Sequence, residues 1–198
     1  SFSEASNMPW KYAVVCSSNM NRSMEAHNVL KQHGLNVQSY GTGTNVRLPG
    51  PSADRPNVYD FGTPYSQILE SLKSQNAELY QHIGLIPMLE RNVRIKKAPE
   101  RWQEEKERFD VAISFEERVF EAIVQDLQSR ESEHFMPMLV FNLETKDNHE
   151  EAAAAAKQAV ILCQLLEKVE DLEAESASFA DAAQEAIGKP LLYTVLYT

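Results

Sequence analysis

At 198 residues, with 43% apolar and 24% charged residues, the chain is long enough for one well-filled domain and has the balance of a soluble globular protein. A formal net charge of −10 gives it no basic footprint for general nucleic-acid binding, and no apolar run reaches the length of a bilayer-spanning helix. With only Cys16 and Cys163 present, a disulfide framework is excluded, and a reducing intracellular compartment is the expectation.

The chain opens SFSEASNMPW, with neither an initiating Met nor a secretory signal, and its first residues are expected to be non-native. KYAVVC, ending at Cys16, is short, apolar and rich in β-branched residues, and predicts a buried strand. RSMEAHNVLKQHG predicts a helix closing at Gly34, and NVQSYGTG a second strand that runs into a glycine-rich turn. FDVAIS predicts a third strand and FEERVFEAIVQDLQSR the helix after it. PMLVFNL predicts a fourth strand, followed by a long helix from about Asn148, and LLYTVLY a last strand. On that helix Leu162, Leu165, Leu166, Val169 and Leu172 recur at helical spacing as core, with Cys163 a small buried hydrophobe among them.

Strands that alternate with helices imply an α/β fold, three-layer, with a mostly parallel central sheet covered on both faces. The whole chain, 1–198, is expected as one domain. Between about 42 and 109 the alternation breaks, over a stretch far longer than a normal crossover needs. LPGPSADRP reads there as a Pro-rich loop, while PYSQILESLK, GLIPMLERN and PERWQEEKE read as helical; the stretch is expected to be a helical insertion over the sheet edge. Arg91, Arg94, Lys96 and Lys97 cluster within it and read as a solvated basic face.

The segment CSSNMNRS, Cys16 to Ser23, carries the chemistry. It joins a strand's carboxyl end to a helix start, where an open α/β sheet places its ligands. A loop there turns successive N–H groups inward, and the helix terminus adds positive potential, so Ser17, Ser18, Asn19, Met20 and Asn21 form a phosphate nest. The same nest favours the ionised, nucleophilic form of a cysteine. Arg22 can clamp two phosphate oxygens with two N–H donors, as Lys cannot. Ser23 can donate to the sulfur when that sulfur becomes a leaving group, and Asn19 and Asn21 are expected to tie the loop's own backbone.

Displacing an alkoxide or phenoxide requires a proton donor. Asp147 in KDNHEEA follows a strand's carboxyl end and is the candidate acid. From spacing alone it equally reads as a helix N-cap with Glu150 as capping-box partner. The five histidines, His27, His33, His82, His134 and His149, show no metal-ligand spacing, so no metal or other cofactor is expected.

CSSNMNRSMEAHN, YGTGTNVRLPGP, PNVYDFGT, MLERNVRIKKAPERW, FEERVF and DNHEEA together resemble the eukaryotic phosphatase of the RNA polymerase II C-terminal-domain tail, over nearly everything from Tyr12 onward. The resemblance implies a fold similar to low-molecular-weight tyrosine phosphatases, with added helices that form a substrate groove. It implies removal of phosphate from the fifth-position serine of the tail heptad, with the following proline in cis, in transcription termination and RNA 3′-end processing. By motif, Cys16 becomes the nucleophile, Arg22 the phosphate clamp and Asp147 the general acid, with Leu48, Pro49 and Met88 lining the peptide groove. A symplekin-like scaffold of the cleavage and polyadenylation machinery is the implied partner, and the nucleus the implied location. Two other readings share the cradle: a low-molecular-weight tyrosine phosphatase, which leaves the long insertion unexplained, and a scaffold subunit that binds phosphoserine tails without turnover.

Overall fold

Residues 9–198 are described in the computed structural model; the opening residues 1–8 lie outside the described part. Four parallel strands form the sheet in the order β2 (Asn36–Gly41), β1 (Lys11–Cys16), β5 (Val111–Ser114) and β6 (Pro137–Asn142). β7 (Leu192–Tyr197) closes the far edge antiparallel to β6. The three-layer, mostly parallel expectation therefore holds.

Pleat alternation assigns each strand residue to a face. Tyr12, Val14 and Cys16 join Ile113 and Phe141 in a core beneath α1 (Arg22–Gln32), α5 (His149–Leu166) and α6 (Ser176–Ile187). Ala13, Val15, Ala112 and Val140 face the other way, onto α4 (Glu117–Ser129) and a cluster of Trp102, Phe109 and Tyr40. With both faces covered, β1 is buried from Tyr12 onward, which explains its continuous apolar run.

The C-terminal stretch departs from expectation. The long helix ends at Leu166, so Val169 and Leu172 pack from the connection beyond it, and α6 is a separate helix. Cys163 is fully buried, and burial pushes its thiol well above the ordinary value.

The segment expected as a helical insertion is only partly helical. It opens with an antiparallel hairpin of β3 (Val46–Ser52) and β4 (Arg55–Tyr59), so the Pro-rich LPGP stretch is strand rather than loop. The register shifts between Leu48 and Ser52, and that irregularity accommodates Pro49 and Pro51 in a two-stranded edge. Gly50 is required there, because a Cβ would lie 1.7 Å from the Arg55 carbonyl oxygen. α2 (Tyr65–His82) and α3 (Leu85–Ile95) follow as expected, with α2 kinked at Asn76, whose side chain caps the resumed turn at Leu79. PERWQEEKE forms just one 3₁₀ turn, Trp102–Glu104, because its run of charges has no apolar stripe to bury beyond Trp102.

Candidate active site

β1 ends at Cys16 and α1 begins at Arg22, so residues 17–21 arch over the carboxyl edge of the parallel strands. A cavity of about 250 Å³ opens on this arch. Its floor is Cys16, Ser17, Ser18, Met20, Asn21 and Arg22; Arg47, Leu48 and Pro49 form one wall, Leu85 and Met88 another, and Asp147 to His149 the rim. The structure thus gathers at one place the nucleophile, clamp, acid and groove residues expected from sequence.

Cys16 Sγ lies 3.0 Å from Ser23 Oγ. Asn19 Nδ2 donates to the same Ser23 oxygen at 2.9 Å, which leaves the Ser23 hydroxyl proton free to point at sulfur. Asn19 is fully buried, has a left-handed φ of 56° and stands away from the cavity wall. Its side chain braces rather than caps, since Oδ1 accepts from the Glu100 amide at 3.0 Å. The expectation that Asn19 and Asn21 tie their own loop is corrected, because both reach outward to other elements.

Arg22 is 6% exposed and already committed on two nitrogens: Nη1 donates to Thr145 O at 3.1 Å and Nη2 to Glu116 Oε2 at 3.2 Å. Nε is buried with no hydrogen-bond partner in the structure, and the Asp147 carboxylate lies beside it with Oδ1 at 3.7 Å. A buried donor without a partner is costly, so a ligand oxygen that satisfies it is favoured at this point. Nη2 carries a second N–H, and phosphate can therefore be held by two donors without breaking either anchor.

Asp147 is freed from the capping role that its spacing allowed. The N-cap of α5 is Asn148, whose Oδ1 accepts from Glu151 N at 2.8 Å. Asp147 is left exposed on the rim, with Oδ1 held by Asn21 Nδ2 at 3.0 Å.

Several residues that sequence reasoning missed hold this arrangement. Tyr65 OH donates to Asn19 O at 2.6 Å, and burial, followed by the nearby Cys16 and Glu100, keeps the phenol protonated far above its ordinary range. Arg91 Nη2 and Asn92 Nδ2 donate to Met20 O at 2.9 and 2.8 Å, and Ser18 Oγ accepts from Arg47 N at 3.2 Å. Half of the basic cluster is thereby removed from the solvated face it was expected to form: Arg91 pairs with Glu25 at 2.6 Å, and Lys96 donates to Ser39 O at 2.7 Å. Glu116 had a readable signal, since it lies in FEERVF just past a strand's carboxyl end, where parallel sheets place their site residues.

A family model described as "Ssu72-like protein" matches residues 10–198. The chain is 48% identical to the RNA polymerase II C-terminal domain phosphatase SSU72 of Homo sapiens, covering 96% of this chain and 97% of the relative, and 47% identical to that of Danio rerio over the same shares. Among solved structures, the serine phosphatase of the RNA polymerase II C-terminal domain from Drosophila melanogaster is similar with a TM-score of 0.93 at 44% identity, over 96% of this chain and all of that one. Drosophila Ssu72 with Symplekin, bound to a cis peptidomimetic of the C-terminal domain phosphorylated on its fifth-position serine, is similar with a TM-score of 0.91 at 43% identity, over 96% and 98%. A match of this extent, over nearly the whole chain on both sides, makes the chain a member of the Ssu72-like protein family.

Proposed function

We propose that this chain is a cysteine-based serine phosphatase that removes phosphate from the fifth-position serine of the RNA polymerase II C-terminal-domain heptad. It would work in the nucleus, in transcription termination and RNA 3′-end processing, alongside a symplekin-like scaffold. The observation that carries the proposal is the convergence of Cys16, the unpartnered Arg22 Nε and Asp147 on one cavity walled by Leu48, Pro49 and Met88.

In the first step a sulfur lone pair of Cys16 attacks phosphorus, and Arg22 with the loop amides holds the equatorial oxygens. The bond from phosphorus to the serine oxygen breaks, and that oxygen takes its proton from Asp147. Asn21 holds Oδ1, which leaves Oδ2 to carry and deliver the proton. In the second step water attacks the phosphocysteine and gives its proton to the Asp147 carboxylate. The sulfur leaves as thiolate, stabilised by the Ser23 hydroxyl. A serine side chain is short, so the substrate backbone must come close to the cavity mouth. A cis serine-proline bond turns both flanks away from the hairpin and α3 walls, in keeping with the cis ligand bound by the Drosophila relative.

The test is phosphate release from a phosphoserine-proline heptad peptide and from a phosphotyrosine peptide. The wild type should prefer the former. Cys16→Ser should abolish turnover while retaining phosphopeptide binding, and Arg22→Lys should lose both bidentate contact and most activity. Turnover by Cys16→Ser would overturn the phosphocysteine route, and a preference for phosphotyrosine would overturn the substrate assignment.

A further inference from the structure

The general acid sits on an exposed rim, yet general acid catalysis requires a fixed distance to the leaving oxygen. Asn21 restrains Asp147 from the side of the phosphate loop. A second restraint comes from the opposite wall. His149, two residues after Asp147 and first in α5, points Nε2 at the carbonyl oxygen of Ile83 at 3.1 Å. Ile83 and Gly84 form the junction of α2 and α3, and among the described hydrogen bonds this one alone joins residues 144–151 to the inserted segment 42–109.

The junction is shaped for that ring. Gly84 has φ +82°, and a Cβ there would lie 2.5 Å from His149 Nε2, 2.9 Å from Cδ2 and 3.3 Å from Cε1. Glycine is thus required twice, for the left-handed turn and for the ring's approach. α3, which begins here, also carries Arg91 and Asn92, which hold the Met20 carbonyl of the phosphate loop, and Met88, which lines the cavity. One helix therefore contacts the phosphate loop along its length and the acid-bearing loop at its start.

We propose that His149 is a positioning residue: docked against Gly84 and bonded to Ile83, it latches the acid-bearing loop to the groove helix and sets where Asp147 delivers its proton. The inference rests on the reading of Asp147 as general acid. Its signature is a loss that depends on the leaving group. An alkoxide leaving from serine needs the proton, whereas p-nitrophenolate barely does, so a displaced acid harms only the first reaction.

The experiment measures kcat/KM on a phosphoserine-proline heptad and on p-nitrophenyl phosphate for His149→Ala, His149→Gln, Gly84→Ala, Asp147→Asn and the double variant Asp147→Asn with His149→Ala. His149→Ala and Gly84→Ala are expected to lose roughly 10- to 100-fold on the peptide, as misplacement of a catalytic group does, and several-fold less on the aryl phosphate. His149→Gln, whose amide N–H can reach Ile83 O, should recover most of the peptide activity. In the Asp147→Asn background His149→Ala should cost nothing further on the peptide. Equal losses on both substrates, full additivity in the double variant, or unchanged peptide activity would each overturn the latch. Should His149→Ala prove unfolded by its melting curve, Gly84→Ala, which pushes the ring away from the other side, decides on the same criteria. If Asp147→Asn itself fails to discriminate between the substrates, the acid assignment falls; if it discriminates and the His149 and Gly84 variants do not, only the latch falls.

Discussion

At the scale of single residues, the arrangement around sulfur is ordered by which atoms are already spoken for. Ser23 Oγ accepts from Asn19 Nδ2, so its own proton has Cys16 Sγ, 3.0 Å away, as its outlet. A hydrogen bond to a charged acceptor is worth about 1.5–3 kcal/mol. It matters most when the sulfur must depart from phosphorus, because the departing sulfur takes the bonding electron pair and gains negative charge. Ser23→Ala should therefore slow breakdown of the phosphoenzyme by roughly 10- to 100-fold while formation is affected less. Stopped-flow with p-nitrophenyl phosphate should then show a burst of p-nitrophenol approaching one equivalent per enzyme, followed by a slow steady state. Loss of activity without a burst would assign Ser23 to loop architecture alone. Cys163 marks the contrast: raised well above the ordinary thiol range by full burial, it should resist iodoacetamide under conditions that alkylate Cys16.

At the scale of elements, the phosphate loop is held from outside by the insertion. Asn92 on α3 is fully buried and donates to Met20 O at 2.8 Å, and Tyr65 on α2 donates to Asn19 O at 2.6 Å. Asn92→Ala would leave that carbonyl to Arg91 alone and open a cavity, so a stability loss of about 1–3 kcal/mol is expected. Activity should fall on the peptide and on aryl phosphate alike, since it is the cradle that loosens; a urea titration and the two kinetic assays check both halves. The sequence showed β1, β5, β6 and the Cys16–Ser23 arch clearly, because a strand buried on both faces and a loop with fixed Cys, Arg and Ser spacing leave local signatures. It hid the hairpin, whose Pro49, Gly50 and Pro51 punctuate like a loop but sit at a register shift between two edge strands. It hid the partners of Tyr65, Asn92, Glu116 and His149 for a different reason. Each acts on a partner between 46 and 94 positions away, and no periodicity or spacing encodes such a pairing. Asp147 lay between these cases: its spacing fitted a cap, and only the geometry moved that role one residue on, to Asn148.

At the scale of the whole molecule, acid stability should turn on a buried imidazole beside the site rather than within it. His27 on α1 is 4% exposed and its Nδ1 lies 2.8 Å from Ser39 Oγ on β2; the Ser39 hydroxyl in turn donates to Met24 Sδ at 3.2 Å, so Nδ1 is the N–H donor. Burial, with Lys96 and Lys31 adding positive charge, lowers the His27 pKa from 6.5 to about 4. The unfolded chain protonates this histidine near pH 6.5 and the folded chain resists until about 4, so across that interval the unfolded state binds more protons. Stability from this group is therefore complete above pH 6.5, declines as the pH falls toward 4, and changes no further below that. The shift corresponds to roughly 3 kcal/mol, a large share of the ~5–15 kcal/mol available to a domain. The seam at risk joins α1, which carries Arg22 and Ser23, to β2, so acid should loosen the cradle's foundation along with the fold. The many carboxylates of this chain titrate over part of the same range, but they do so equally in His27→Asn, which keeps an N–H donor near the Nδ1 position and has no proton to gain. Urea unfolding at intervals from about pH 7 to 4 should show the wild type losing about 3 kcal/mol more than His27→Asn. Parallel stability curves for the two proteins would mean that the imidazole is protonated in the fold and that the seam tolerates the charge.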